Sequence, residues 1–253
     1  MTAHFEIEDL ACAYDGRTVL EVPALALRSG EVTAIVGPNG AGKSTLIRCL
    51  AGVMPPARGT IRLQGVDLSR FTDRERARRI AYLPADSRLA WPMIARRVVE
   101  LGRFPFLKPL TRLDEADRAA VETSLALTDT GHLADRAFSE LSSGEKARIL
   151  VARSLATQAE ALLLDEPGAA LDPRHQLAVM EILTAEAQNG RCVAFAGHSL
   201  DQVSRFADRV IVVHEGRIAA DGAPRLALDA DTLRNVFGLN APDGIAVQTW
   251  QTG

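Results

Sequence analysis

Gly37-Pro38-Asn39-Gly40-Ala41-Gly42-Lys43-Ser44-Thr45 decides how this chain folds. As far as Ser44 it matches G-x-x-x-x-G-K-S/T. The apolar run at 32–36 comes just before and reads as a buried parallel strand. Residues 45–53 come just after and carry helical spacing. Between a strand and a helix, such a loop turns its backbone amides inward around phosphate oxygens, and the helix N-terminus adds positive potential. Lys43 is then set to bridge β- and γ-phosphates, and the Ser44 hydroxyl to ligate Mg²⁺. A plain glycine turn is the alternative, but it would need neither the strand before nor the helix after.

The flanks read as an α/β protein. Residues 4–14, 17–22, 31–37, 60–68 and 80–84 have strand character. Thr72 and Glu75 stand at capping-box spacing. From about 86 to 158 the strand-like runs vanish. Residues 114–128 set Ala116, Ala119, Ala120, Val121, Leu125 and Leu127 at the spacing of an amphipathic helix, and 142–156 read as another. Strands return at 161–167, 192–198 and 209–222, the last as a hairpin. Asp172, Pro173 and Gly190 mark a helix by its N-cap, first turn and stop. The expected fold class is therefore α/β. The core comes from 1–85 and 159–253, with an antiparallel β segment near the N-terminus and a helical insertion at 86–158.

Composition narrows the function. With 253 residues the chain buries its own core without staples. A net charge of -3 argues against a dedicated nucleic-acid binder. Cys12, Cys49 and Cys192 form no CxxC and suggest neither zinc nor a disulfide framework. The N-terminus lacks the apolar segment of a secretory leader, and no 18-residue apolar run spans a membrane. Only Lys43, Lys108 and Lys146 are lysines among 29 basic residues, which makes the lysine inside the glycine loop more telling.

Two further stretches carry chemistry. Leu162-Leu163-Leu164-Asp165-Glu166-Pro167 is an apolar strand ending in acids. Phosphoryl transfer needs a carboxylate near the metal, which suits Asp165, and a group that orients or deprotonates water, which suits Glu166. Neighbours on a strand point to opposite faces, so the chain must turn here, and Pro167 favours that. An acidic strand cap is the plainer reading, and the upstream phosphate loop decides against it. Leu141-Ser142-Ser143-Gly144-Glu145 opens a helix with capping-box spacing from Ser142 to Glu145. Such an N-terminus also suits a γ-phosphate.

The order of phosphate loop, LSSGE, LLLDEP, AALD and GHS resembles the ATP-binding subunit of ABC transporters, over about residues 5–240. The resemblance implies a P-loop NTPase fold and ATP hydrolysis with Mg²⁺. It implies ATP contacts from Tyr14, stacked on adenine, and from Gly37, Pro38, Asn39, Gly40, Ala41, Gly42, Lys43, Ser44 and Thr45. It gives Ser44 and Asp165 to the metal, and Glu166 and His198 to catalysis. Ser142, Ser143, Gly144 and Glu145 would act in trans on ATP held by a second copy, and Asp172 would cross that interface. Two positions depart from the family. Ser143 replaces a glycine, and Ala85 stands where a glutamine normally meets the metal and the attacking water, with Asp86 and Ser87 behind it.

Residues 90–106 and the tail 222–239 resemble importers of the iron-siderophore, haem and vitamin B12 type. Trp91, Pro92, Phe104 and Phe106 each read as core singly, while the segment reads as a docking surface for a membrane permease. The resemblance thus implies a homodimer on the cytoplasmic face of the membrane, with separate permease subunits, an extracytoplasmic substrate-binding protein and no nucleic acid. Two alternatives remain. One is an ATP-dependent switch that hydrolyses weakly because of Ala85, and the other is a soluble ABC-type ATPase without a permease.

Overall fold

The computed structural model describes residues 3–14, 16–86, 92–108 and 111–240. Its strands are β1 (Ala3–Tyr14), β2 (Arg17–Arg28), β3 (Glu31–Val36), β4 (Arg58–Leu63), β5 (Val66–Asp67), β6 (Ile80–Leu83), β7 (Ala161–Asp165), β8 (Cys192–Ala196), β9 (Arg209–His214) and β10 (Arg217–Gly222). Its helices are α1 (Lys43–Leu50), α2 (Asp73–Arg79), α3 (Ala95–Glu100), α4 (Glu115–Leu127), α5 (Ser143–Ala156), α6 (Pro173–Gln188), α7 (Leu200–Phe206), α8 (Pro224–Ala227) and α9 (Ala230–Phe237).

One sheet runs β5-β4-β1-β2-β10-β9-β3-β8-β7-β6. The run β9-β3-β8-β7-β6 is parallel, and β5-β4-β1-β2 is antiparallel. Every residue of β3, β7 and β8 is buried, as expected of parallel strands covered on both faces. Alternate residues divide between two cores. Ala34, Val36, Leu162, Leu164, Val193 and Phe195 pack with α4, α5 and α6. Ile35, Leu163, Ala194, Ile211 and Val213 pack with α1 and the antiparallel strands. The period of two along each strand thus packs α1 against one face of both the parallel and the antiparallel strands.

All described elements between 92 and 158 are helical. On α4 the buried positions are Asp117, Ala120, Val121, Ser124 and Leu125. Ala116, Ala119 and Leu127, expected on the apolar face, are exposed. The shift has a physical cause: Asp117 closes a capping box with Asp114 and pairs with buried Arg103 at 2.8 Å, which turns that face inward. Phe104 is 68% exposed and Pro92 is exposed, so neither is core. Phe106 is half-buried under the Arg103 guanidinium, 4.1 Å from its ring centroid. Trp91 and Ser87 lie outside the described residues. Among the described residues, no helix is long and apolar enough to cross a membrane.

Candidate functional site

The chain leaves β3 at Gly37, with φ 150°. A Cβ there would stand 2.0 Å from the Val213 carbonyl oxygen, so only glycine lets the loop lie against β9. Gly42 then turns the chain into α1. Lys43 Nζ donates to the carbonyls of Gly37 (2.8 Å) and Pro38 (2.9 Å), arching back over the loop. Burial lowers the Lys43 pKa, and the carboxylates of Glu166 and Asp165 oppose that shift. Asn39 and Gly40 are exposed at the loop tip, Pro38 is half-buried and Ala41 is buried. In front of the loop lies a 250 Å³ cavity walled by Tyr14, Val19, Gly40 and residues 42–45.

Asp165 ends β7 beside α1 and is 1% exposed. Its Oδ1 accepts a hydrogen bond from Ser44 Oγ at 3.0 Å. Its Oδ2 is buried with no partner. Burial pushes the carboxyl up, against the opposing effect of the Ser44 hydroxyl. An orphaned carboxylate oxygen next to a hydroxyl is a hard-donor pair that fits Mg²⁺, an ion that fills its remaining positions with water and substrate phosphates. Among the described residues no group of three or more His, Cys, Asp or Glu could hold a metal. Ser44 and Asp165 are the residues here that would hold such an ion.

The turn expected after Asp165 falls on Glu166 itself. Glu166 has φ 52°, a left-handed conformation that disfavours a non-glycine residue. Its N–H donates to the Ala196 carbonyl (3.0 Å), which pins the turn to the end of β8. The turn separates two adjacent acids. Asp165 meets Ser44, while Glu166 Oε2 lies 3.9 Å from Nδ1 of His198, itself 64% exposed in the loop after β8. Glu166 and His198 share a 60 Å³ cleft with Gly168, Gln176, Ser199 and Gln202.

Tyr14 ends β1 just past a bulge at Cys12/Ala13, 44% exposed, and its hydroxyl accepts from Arg48 Nη1 at 3.2 Å. Its partly exposed ring walls the cavity at the phosphate loop, where an aromatic could stack on a base. Asp172 caps α6, accepting from the His175 backbone N–H (3.0 Å) and pairing with His175 Nδ1 (2.8 Å). These contacts hold the Asp172 carboxyl below its usual range.

Ser142 caps α5 in a complete capping box with Glu145. Ser142 and Ser143 are exposed. No residue of 142–145 lines the cavity at the phosphate loop. Ala85 is exposed just past β6 and offers no polar side chain.

Sequence reasoning missed three supports. Arg48, one helical turn past Ser44, holds Tyr14. Gln176 donates to the carbonyls of Gly168 and Leu171 (3.0 and 2.9 Å), and Gln202 donates to Gln176 (2.5 Å), so α6 and α7 brace the segment between Glu166 and Asp172. His175 anchors Asp172. The spacing of Arg48 from Ser44 on one helix face was a usable signal, but the glutamine pair joins distant segments and left none.

Residues 20–169 match the family model described as ABC transporter, spanning the loop, the LSSGE helix and the DEP turn. This chain belongs to the ABC transporter ATP-binding family. It is 44% identical to the hemin import ATP-binding protein HmuV of Nocardia farcinica, over 87% of this chain and 76% of that one. It is 36% identical to the ferric enterobactin transport ATP-binding protein FepC of Escherichia coli, over 92% of this chain and 86% of that one. Among solved structures, an ATP-binding subunit of an ABC transporter superposes with a TM-score of 0.78 at 26% identity, covering 94% of this chain and 95% of that one. The family member described here is an ATPase with an ABC ATPase fold.

Proposed function

We propose that this chain energises import of a metal chelate or corrinoid, of the haem, iron-siderophore or cobalamin class, through a separate membrane permease. The observation that carries the reading is identity of 36–44% over most of the chain to a hemin import ATP-binding protein and a ferric enterobactin transport ATP-binding protein. The exposed Phe104 and Ile94 on the helical block supply apolar surface for permease docking.

In the chemical step Glu166 takes a proton from the attacking water, whose oxygen bonds the γ-phosphorus as the bond to the β–γ bridging oxygen breaks. His198, beside Glu166, holds a γ-phosphate oxygen. Lys43 leaves its loop carbonyls for the β- and γ-phosphates. Mg²⁺, held by Ser44 and Asp165, would neutralise charge on those phosphates. Tyr14 stacks on the base. The loop cavity lacks any residue of 142–145, and this supports a dimer in which each copy's Ser142 and Gly144 close on ATP held by the other. ATP closes the pair and moves the permease, and phosphate release reopens it.

The test is a mild-detergent purification of the tagged chain from its native membrane. A polytopic membrane protein in equal amount, whose cargo stimulates ATP turnover, supports the reading. Recovery with ribosomes or nucleic acid, or alone, contradicts it. A second reading rests on Ala85: a switch that binds ATP and closes but hydrolyses slowly. Single-turnover hydrolysis in the assembled complex separates the two.

A further inference from the structure

Cys12 and Cys49 are distant in sequence and serve no part of the chemistry above. Their Sγ atoms lie 2.8 Å apart, well inside the separation at which two sulfur atoms merely touch. Both thiols are free and buried. Cys12 lies on β1, two residues before Tyr14, at the edge of the bulge that re-aims that strand's end. Cys49 lies in the last turn of α1, the helix that begins at Lys43. The pair therefore joins the strand carrying the exposed aromatic to the helix carrying the phosphate-binding lysine.

Two other observations bear on reactivity. A 430 Å³ cavity is walled by Cys49, Met54, Pro55, Pro56, Ile61 and Leu68, giving a small oxidant a path to the Cys49 side of the pair. The contact is also asymmetric: the Cys49 S–H stabilises a Cys12 thiolate and lowers the Cys12 pKa, while Cys49 is pushed up. Cys192 offers an internal contrast. It lies in β8 in the same core, and burial pushes it up to about 12.

We propose that Cys12 and Cys49 are an oxidation site, closing a reversible disulfide between β1 and α1 that weakens ATP binding. With hydrogen peroxide as oxidant, one thiolate of the pair attacks a peroxide oxygen and the O–O bond breaks, leaving a sulfenic acid and, after protonation, water. The other sulfur then attacks the sulfenic sulfur. The S–S bond forms, the S–O bond breaks, and hydroxide leaves to take up the second thiol's proton as a second water. The two thiols lose two electrons and the peroxide gains them. Forming the bond draws the sulfurs inward from their present separation, since a disulfide is shorter than this contact. That pulls the end of β1, and Tyr14 with it, toward α1. The base-stacking ring and the phosphate loop then no longer hold the spacing at which both meet one nucleotide.

The experiment uses the full chain, treated with graded hydrogen peroxide, then alkylated in denaturant and mapped by mass spectrometry, with ATP affinity measured on parallel samples. The expected result is a Cys12–Cys49 cross-linked peptide lighter by two hydrogens, Cys192 still alkylated, and a several-fold loss of ATP affinity. Dithiothreitol reverses both changes. Cys12→Ala and Cys49→Ala, each checked for an unchanged circular dichroism spectrum, keep their ATP affinity through the same treatment. Either alanine variant folding suffices for that control. Three results would each overturn the proposal: both thiols staying alkylatable at peroxide levels that oxidise glutathione, a cross-link that leaves ATP affinity unchanged, or affinity loss that persists in an alanine variant.

Discussion

At the residue scale, one turn does most of the sorting. Asp165 and Glu166 are adjacent, yet one reaches Ser44 and the other His198, because Glu166 sits at φ 52°. The two acids therefore make separable predictions. Glu166→Gln keeps ATP binding and loses about 10²–10⁴-fold in turnover, as removal of a general base does; equilibrium binding and steady-state turnover on the same sample check this. Asp165→Asn removes a buried carboxylate whose charged form burial disfavours. It should abolish Mg²⁺-dependent turnover and raise the melting temperature of the nucleotide-free chain, a trade of function for stability. Calorimetry without nucleotide reads the second half. Ala85 supplies no group to hold the attacking water, so Ala85→Gln should raise turnover about 10–100-fold, equivalent to about 1.4–2.7 kcal/mol of barrier. An unchanged rate in single-turnover assays would show that another group already fills that role. The acids and the loop were legible because each residue type is demanded by its chemistry at a fixed spacing. A turn after Asp165 was expected, but Glu166's left-handed backbone was not legible, since a glutamate carries no preference for that conformation.

At the scale of elements, helix caps and function overlap at α5. Ser142 caps the helix, and the same N-terminus is proposed to meet ATP on a second copy. Ser142→Ala should cost about 1 kcal/mol of stability, the usual worth of such a cap. Ser142→Asp preserves the cap yet brings negative charge toward a γ-phosphate. Its predicted signature is a normal melting temperature with strongly reduced turnover, and thermal melts beside ATPase assays distinguish it from the alanine variant. The strands were readable from alternation and continuous apolar runs, and the caps at Thr72, Ser142 and Asp172 from residue type and spacing. The face of α4 was not. Alanine spacing suggested one stripe, but the buried Arg103–Asp117 pair selects another, and a pairing between segments leaves no local period. Phe104 misled for the same reason: an aromatic reads as core until the neighbouring chain leaves it uncovered.

At the scale of the whole molecule, the phosphate loop and the LSSGE helix belong to one chain but do not meet at its nucleotide cavity. The sheet and α1 hold the first, and the helical block between β6 and β7 carries the second. The proposed dimer, in which each copy's LSSGE helix closes on ATP held by the other, is the central claim of the account. The direct measurement is sedimentation velocity of Glu166→Gln, predicted above to bind ATP without turning it over, with and without ATP, beside the double variant Glu166→Gln/Gly144→Asp. The account predicts a monomer that becomes a dimer on adding ATP, and a double variant that binds ATP yet stays monomeric. A Glu166→Gln chain that remains monomeric when saturated with ATP, or a double variant that dimerises as well as the single one, would contradict it.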